Sequence, residues 1–215
     1  MAGDPTWIGL ATLLPLAILA LVARTSETLG WKELAWFWIC GASTAYIAGL
    51  VEAAVMPQWA TSETSRHALG LAFGIVAPIE EIAKYAILQH EIRSRHNDRA
   101  KTLATIGLAL GAGFASLENA AYLMNAGHQA ADIATARLWS ATPFHLANGV
   151  LAGLLIWHAS RSRFPGATLG ALGVIILLHG AYDAPLFAGG PEAAKYAFVL
   201  GLTVAAAGRA FRQAE

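Results

Sequence analysis

The chain has 215 residues, of which 56% are hydrophobic and 13% are charged, and soluble domains typically carry about 25% charged residues. Long apolar stretches with so few charges favour a lipid bilayer as the solvent, and a net charge of zero gives no indication of nucleic acid as a partner. The single cysteine, Cys40, excludes an internal disulfide.

Seven apolar stretches are long enough to cross a bilayer, which takes about 20 residues per helix. Their connections are short, so we expect a single membrane domain over residues 1–215, an all-α bundle of about seven transmembrane helices. In chain order the stretches are Trp7–Ala23, Leu34–Met56, Ala68–His90, Thr102–Ala126, Leu138–Ser160, Ala167–Ala188 and Ala193–Phe211. Glycine-rich runs such as Gly107–Gly113 and Gly166–Gly173 predict close approaches between helices.

The basic residues predict the orientation of the bundle. Ten of the fourteen Lys and Arg residues fall in loops after odd-numbered stretches or in the C-terminal tail, and three fall on the other side. The remaining one, Lys84, lies inside the third stretch. Because basic residues accumulate on the cytoplasmic side, we predict an outer N-terminus and a cytoplasmic C-terminus.

Ionisable side chains gather in the third to sixth stretches, although each charge in a bilayer core costs at least about 2.5–3.5 kcal/mol. Counted from the predicted outer ends, Glu80, Glu118, His145 and His179 lie 12, 8, 7 and 9 residues deep, or roughly 10–18 Å at about 1.5 Å per residue. Four helices can therefore present these groups to one cavity. Ionisable groups inside a membrane are usually functional.

The third stretch carries two adjacent glutamates and a lysine. Glu80 and Lys84 are four residues apart and share a helical face, so Lys84 is expected to pair with Glu80 or Glu81. Glu81 points about 100° away from Glu80. Both glutamates therefore cannot face one point equally unless Pro78 distorts the helix.

Two histidines and a carboxylate form a typical catalytic zinc set, in which the fourth position holds water. The prediction is a zinc ion held by Glu118, His145 and His179, with Glu80 as the general base. Asp183, one turn from His179, either orients that histidine or is a further ligand. A metal-free version stays open, in which Glu80 activates water with the help of a histidine.

Other polar residues have structural interpretations. Glu52 and His158, near the ends of their stretches, can reach the interface and are predicted to be non-catalytic. Asn119 and Asn148 are predicted mainly to hydrogen-bond other helices. The polar set as a whole could also form the proton relay of a transporter or the contacts of a non-catalytic membrane scaffold. A transporter is disfavoured, because the motifs show no internal repeat.

The motifs in these stretches resemble the PrsW family of intramembrane proteases, which is related to the CAAX prenyl endopeptidases. The resemblance covers about residues 68–188, the expected catalytic core. It is carried by Glu80-Glu81-x-x-Lys84, Phe114-x-x-x-Glu118-Asn119-x-x-Tyr122, His145 with Gly149, and His179-Gly180-x-Tyr182-Asp183.

This resemblance implies an endopeptidase that cleaves membrane-protein substrates in a lipid bilayer, here a bacterial or archaeal cytoplasmic membrane. The catalytic residues that it implies are Glu80, Glu81, Glu118, His145 and His179, with Lys84, Asn119 and Asp183 in support. Two departures argue against a prenylated substrate, since the CAAX branch has histidine where Glu118 stands and asparagine where Asp183 stands.

Overall fold

The computed structural model describes residues 5–25, 28–56, 65–94, 99–188 and 193–213. All regular structure in these ranges is helical, as the sequence predicts. The elements are α1 (Pro5–Thr25), α2 (Trp31–Val55), α3 (Ser65–Leu71), a π-helical turn (Ala72–Val76), α4 (Ala77–Ser94), α5 (Ala100–Met124), a 3-10 turn (Gly127–Gln129), α6 (Ala130–Trp139), α7 (Ala141–Ser160), α8 (Ala167–Ala188) and α9 (Ala193–Gln213).

Four helices of the described chain are long and apolar enough to cross a membrane. They are Pro5–Arg24, Trp31–Val55, Ala100–Met124 and Ala167–Ala188. The chain is therefore an integral membrane protein. Seven spans and the orientation of the two ends stay predictions.

Helix α5 lies at the centre of the bundle and packs against α1, α2 and α7. It is buried on nearly all sides, which is typical of a helix that is apolar all round. Glycines bring its backbone against α7: a Cβ on Gly107 would overlap the carbonyl of Gly149, and a Cβ on Gly153 would overlap that of Leu103. Close packing of α5 and α7 fixes the relative positions of the side chains farther along both helices.

The predicted close approach holds for the first glycine run and not for the second. A Cβ added to Gly170 or Gly173 would have no heavy atom of the described residues within 4 Å, and Gly166 has a φ of +84° in the turn before α8. The second run therefore begins with a turn and continues along an open helix face.

The third predicted span is one continuous apolar stretch in the sequence, but the structure divides it. A π-helical turn separates α3 from α4, and the amide of Ala77 donates a hydrogen bond to the carbonyl of Ala72, five residues back. Pro78, which follows, has no N–H and cannot take part in the regular helical ladder. Phe73 in the π-helical turn packs against Gly180 of α8, where a Cβ would overlap its ring. Single π turns occur often at functional sites.

The fifth predicted span, Leu138–Ser160, begins too early. Leu138 belongs to the separate short helix α6, and α7 begins at Ala141 after a break at Ser140. Helix α6 packs against α1, α5 and α7. Its buried Ala130 and Ala134 form an apolar cluster with Ala11 and Leu123. This cluster holds α6 against the end of α5 that carries the polar side chains.

Candidate active site

Helices α4, α5, α7 and α8 bring the predicted polar residues into one buried cluster. Each of these residues contacts at least one other member through a carboxylate, an ammonium or an imidazole. The rings of His145 and His179 stand nearly perpendicular, with centroids 5.4 Å apart. The cluster consists of Glu80, Glu81, Lys84, Glu118, His145, His179 and Asp183.

Both glutamates of α4 face the imidazole of His179. Nδ1 of His179 lies 2.6 Å from Oε1 of Glu81, and Nε2 lies 3.6 Å from Oε2 of Glu80. Adjacent residues on one helix can do this because each contacts a different nitrogen of the ring. Oδ2 of Asp183 lies 3.3 Å from the same Nε2. Glu81 is thus placed to fix the ring of His179, while Glu80 and Asp183 face its other nitrogen.

Lys84 pairs mainly with Glu81. Its Nζ donates a hydrogen bond of 2.6 Å to Oε1 of Glu81, whereas Oε2 of Glu80 is 3.9 Å away. The ammonium also lies over the ring of Phe114, 4.1 Å from the centroid. All of these groups are almost fully buried, and a buried charge needs such partners. Lys84 therefore compensates the charge of Glu81 and leaves Glu80 with the weaker contact.

His145 pairs with Glu118 of α5. Nε2 of His145 lies 2.8 Å from Oε2 of Glu118, and the same oxygen lies 2.6 Å from Nη2 of Arg137. Glu118 retains 20% of its side-chain exposure, whereas the side chain of His145 retains 2%. Glu118 thus lies between the buried histidine and a cation carried by α6.

One group of the described residues offers ligand atoms in a metal-binding arrangement. Glu80, His145 and His179 each present one such atom, and all three atoms lie within 4.8 Å of one another. Three buried polar atoms around them have no hydrogen-bond partner, namely Oε2 of Glu80, Nδ1 of His145 and Oδ2 of Asp183. Buried polar atoms are nearly always satisfied, so this donor set fits a cation. Glu118, the carboxylate predicted as third ligand, contacts His145 but is not in this group.

Aromatic rings surround the two histidines. Phe114 lies 5.0 Å from the ring of His145, and Phe144 lies 5.2 Å from that of His179, between centroids. Tyr182 stacks on Phe144 at 4.2 Å and 8°. These rings limit the rotation of the imidazoles, which fixes the nitrogens that face the carboxylates.

A cavity of about 640 Å³ lies beside the cluster, between α2, α5, α7 and α8. Glu80, Glu118, His145 and Asp183 line its polar side. Its apolar wall includes Ala45, Ala48, Leu117, Ala121, Leu186 and Phe187. The cavity is large enough to hold a segment of peptide next to the polar cluster, since ligand sites in proteins run from roughly 300 to 1,000 Å³.

The four polar residues for which the sequence predicts structural roles differ in their surroundings. Asn119 donates to the carbonyl of Ala11 and to Oγ1 of Thr142, as expected of a residue that joins helices. Asn148 is buried, but neither amide atom has a hydrogen-bond partner among the described residues. Glu52, predicted to reach the interface, instead lines the cavity, and His158 lies in the last turn of α7.

The sequence interpretation missed Arg137 as a member of the site, because it counted this residue only as a loop charge. Its Nε donates to Oδ1 of Asn119 at 2.7 Å, and its guanidinium lies over the ring of Tyr122, 4.0 Å from the centroid. A signal was available: Ala130, Ile133 and Ala134 follow helical spacing and predict a short amphipathic helix. Arg137, one turn after Ile133, lies beside this apolar face.

Comparison with models of protein families gives a match. The model of the PrsW family intramembrane metalloproteases matches residues 30–208, which include every helix that contributes to the polar cluster. A search of curated proteins and a search of solved structures each give no match. A family match over most of the chain is decisive, and this protein belongs to the PrsW family of intramembrane metalloproteases.

Proposed function

We propose that this chain is an endopeptidase that hydrolyses a peptide bond of a membrane-protein substrate inside the bilayer, at the cluster around His145 and His179. The observation that carries the proposal is the buried group of Glu80, His145 and His179 beside a cavity with an apolar wall. Excluding bulk water from such a site strengthens every electrostatic interaction within it. A membrane-embedded segment is the substrate that fits an apolar wall in a membrane protein.

The two histidines and one carboxylate are proposed to hold a metal, with zinc as the proposed ion. Imidazole and carboxylate are common zinc ligands, and a bound zinc would supply an acidified water for attack on the substrate carbonyl. Metal-binding histidines usually donate their second ring nitrogen to a carboxylate or carbonyl. Glu81 is positioned to accept from Nδ1 of His179, and Glu118 accompanies His145 in the same way.

The roles of Glu80 and Glu118 are open to a direct test. The sequence prediction makes Glu118 the third ligand and Glu80 the base that takes the proton from water. The close grouping of Glu80 with both histidines supports the reverse assignment. The greater exposure of Glu118 to the cavity also supports it as the base. We therefore propose Glu80 as the ligand and Glu118 as the proton acceptor.

The experiment compares Glu80→Gln and Glu118→Gln with the wild-type protein. All three proteins are purified in detergent, and the metal content of each is determined. Cleavage of fluorescent casein and of detergent-extracted membrane proteins is followed by mass spectrometry of the new termini. Loss of the ligand lowers metal affinity and activity together, whereas loss of the base lowers activity while the metal stays bound. We expect the first pattern for Glu80 and the second for Glu118.

Glu91→Gln is the matched control, because Glu91 lies on the same helix as Glu80 near its far end. This variant should cleave at the wild-type rate. If Glu80→Gln keeps its metal and Glu118→Gln loses it, the sequence assignment of the two roles is correct. Full activity in both variants would contradict the proposed site.

A further inference from the structure

Arg137 presents a buried cation to the cavity from the short helix α6. Only 14% of its side chain is exposed, and it lines the same cavity as Glu80, Glu118 and His145. A buried arginine is costly unless its charge is compensated. Glu118 supplies that charge, at 2.6 Å from Nη2.

The guanidinium is held in place from two further sides. Its Nε donates to Oδ1 of Asn119 at 2.7 Å, and its plane lies over the ring of Tyr122. Asn119 is itself fixed by hydrogen bonds to Ala11 and Thr142. The cation is therefore preorganised, which is a requirement for electrostatic catalysis.

The described contacts do not use every donor of this guanidinium. Of its five N–H groups, the one on Nε donates to Asn119, and Nη2 is paired with Oε2 of Glu118. Because the side chain lines the cavity, its remaining N–H groups can donate to an acceptor that a ligand brings. The same Oε2 of Glu118 lies 2.8 Å from Nε2 of His145. The guanidinium is thus adjacent to the proposed catalytic groups.

We propose that Arg137 is a catalytic residue whose guanidinium binds the carbonyl oxygen of the scissile peptide bond and stabilises the oxyanion formed from it. The inference rests on the proposed protease function and adds a residue to that site. The oxygen of water attacks the carbonyl carbon, its proton passes to a carboxylate, and the C=O electron pair moves onto the oxygen that Arg137 holds. The carbonyl then re-forms, the C–N bond breaks and the proton passes to the leaving nitrogen. Arg137 stays protonated throughout.

The competing interpretation is that Arg137 only neutralises Glu118. The two interpretations differ in what a lysine can replace. A lysine keeps the positive charge but lacks the planar fork of N–H donors. A counter-ion role therefore predicts that Arg137→Lys restores most of the activity, whereas oxyanion binding predicts that it does not.

The experiment uses the purified full chain with fluorescent casein as the probe substrate, and compares the wild type with Arg137→Met and Arg137→Lys. Removal of one oxyanion donor typically lowers kcat by about 10²–10³-fold. We expect a fall of that size in kcat for both variants, with KM changed by less than about tenfold and metal content unchanged. Arg161→Met is the control. Arg161 also lies over an aromatic ring, that of Trp157, but it follows the C-terminal end of α7, whereas His145 lies near the N-terminal end.

A second readout does not depend on turnover. The casein peptide that the wild type cleaves fastest is identified, and two uncleavable analogues of it are prepared. One analogue carries a tetrahedral phosphinate at the scissile position, and the other carries a planar ketomethylene there. Transition-state mimics bind more tightly than ground-state mimics when a site is built for the tetrahedral form. Loss of Arg137 should weaken phosphinate binding by about 10²-fold and ketomethylene binding by less than about tenfold.

The outcomes distinguish a failure of the oxyanion role of Arg137 from a failure of the proposed protease function. Equal weakening of both analogues, or wild-type kcat in Arg137→Lys, overturns the oxyanion role and leaves the protease intact. If the folded wild-type protein cleaves neither casein nor detergent-extracted membrane proteins, the result counts against the proposed function, and the role of Arg137 falls with it. If Arg137→Met does not fold, Arg137→Lys with both analogues carries the decision.

Discussion

Oε1 of Glu81 lies 2.6 Å from both Nδ1 of His179 and Nζ of Lys84. One buried carboxylate oxygen therefore joins a proposed metal ligand to a buried cation on the same helix. This contact turns the ring so that Nε2 of His179 faces Glu80 and Asp183. We therefore propose Glu81 as a positioning residue that acts through His179.

We predict that Glu81→Gln lowers metal affinity by about 10- to 100-fold, the usual effect of removing the carboxylate behind a metal-binding histidine. The helices should still form, since glutamine has nearly the same shape, but stability should fall because the buried ammonium of Lys84 keeps only its weaker contact with Glu80. Titration of the metal-free protein with zinc measures the affinity, with Glu91→Gln as the control. Unchanged affinity would show that Glu81 does not orient His179.

Lys84→Met should destabilise the protein, because it leaves the buried carboxylate of Glu81 without its cation. Removing one partner of a buried ion pair costs about 3–5 kcal/mol. The double variant with Glu81→Gln removes both charges and should recover part of that loss. Unfolding in detergent measures the free energies of the single and double variants, and strictly additive losses would contradict the pairing.

The glycine contacts between α5 and α7 predict opposite effects for two glycine-to-alanine changes. A methyl group on Gly149 would overlap the carbonyl of Gly107, and overpacking of this kind costs about 1–3 kcal/mol. Gly173 has open space at the same position, and alanine is favoured over glycine in a helix by roughly 0.5–1 kcal/mol. The midpoint temperature of thermal unfolding should therefore fall for Gly149→Ala and should stay level or rise for Gly173→Ala. Equal shifts would contradict the packing.

Asn119 connects the site to α1, which lies outside the residues matched by the family model. Its amide nitrogen donates to the carbonyl of Ala11, and its oxygen accepts from Arg137. Asn119→Ala should leave Nε of Arg137 unsatisfied, at a cost of about 1–3 kcal/mol, and should lower activity through that residue. Wild-type stability and activity in this variant would remove Asn119 from the support of Arg137.

Much of the architecture follows from hydropathy. The helical class and the membrane environment follow from long apolar stretches, because a lipid solvent permits few other backbones. The π-helical turn before Pro78 does not follow, since Phe73 and Ala77 read as ordinary helix. The boundary at Ser140 was also missed, because Leu138 continues the apolar run although it belongs to α6.

The candidate site, like the fold, could be predicted from the sequence only in part. Helical spacing and depth predict that Glu80, Glu118, His145 and His179 approach one another, and the structure brings them into one cluster. Spacing could not predict that Glu80 and Glu81 both face His179, which depends on the two separate nitrogens of the ring. Arg137 was missed because its position depends on how α6 packs against α1 and α5, a tertiary contact that no local pattern records.

The most direct test of the account is the metal content of the detergent-purified protein by elemental analysis, beside His179→Ala and the control His158→Ala. We predict close to one zinc per chain in the wild type and in the control, and little in His179→Ala, because His179 belongs to the proposed ligand set and His158 does not. Absence of metal from the wild type, after purification without chelators and after zinc addition, would contradict the metal site. Hydrolysis would then depend on water that a glutamate activates with the help of a histidine.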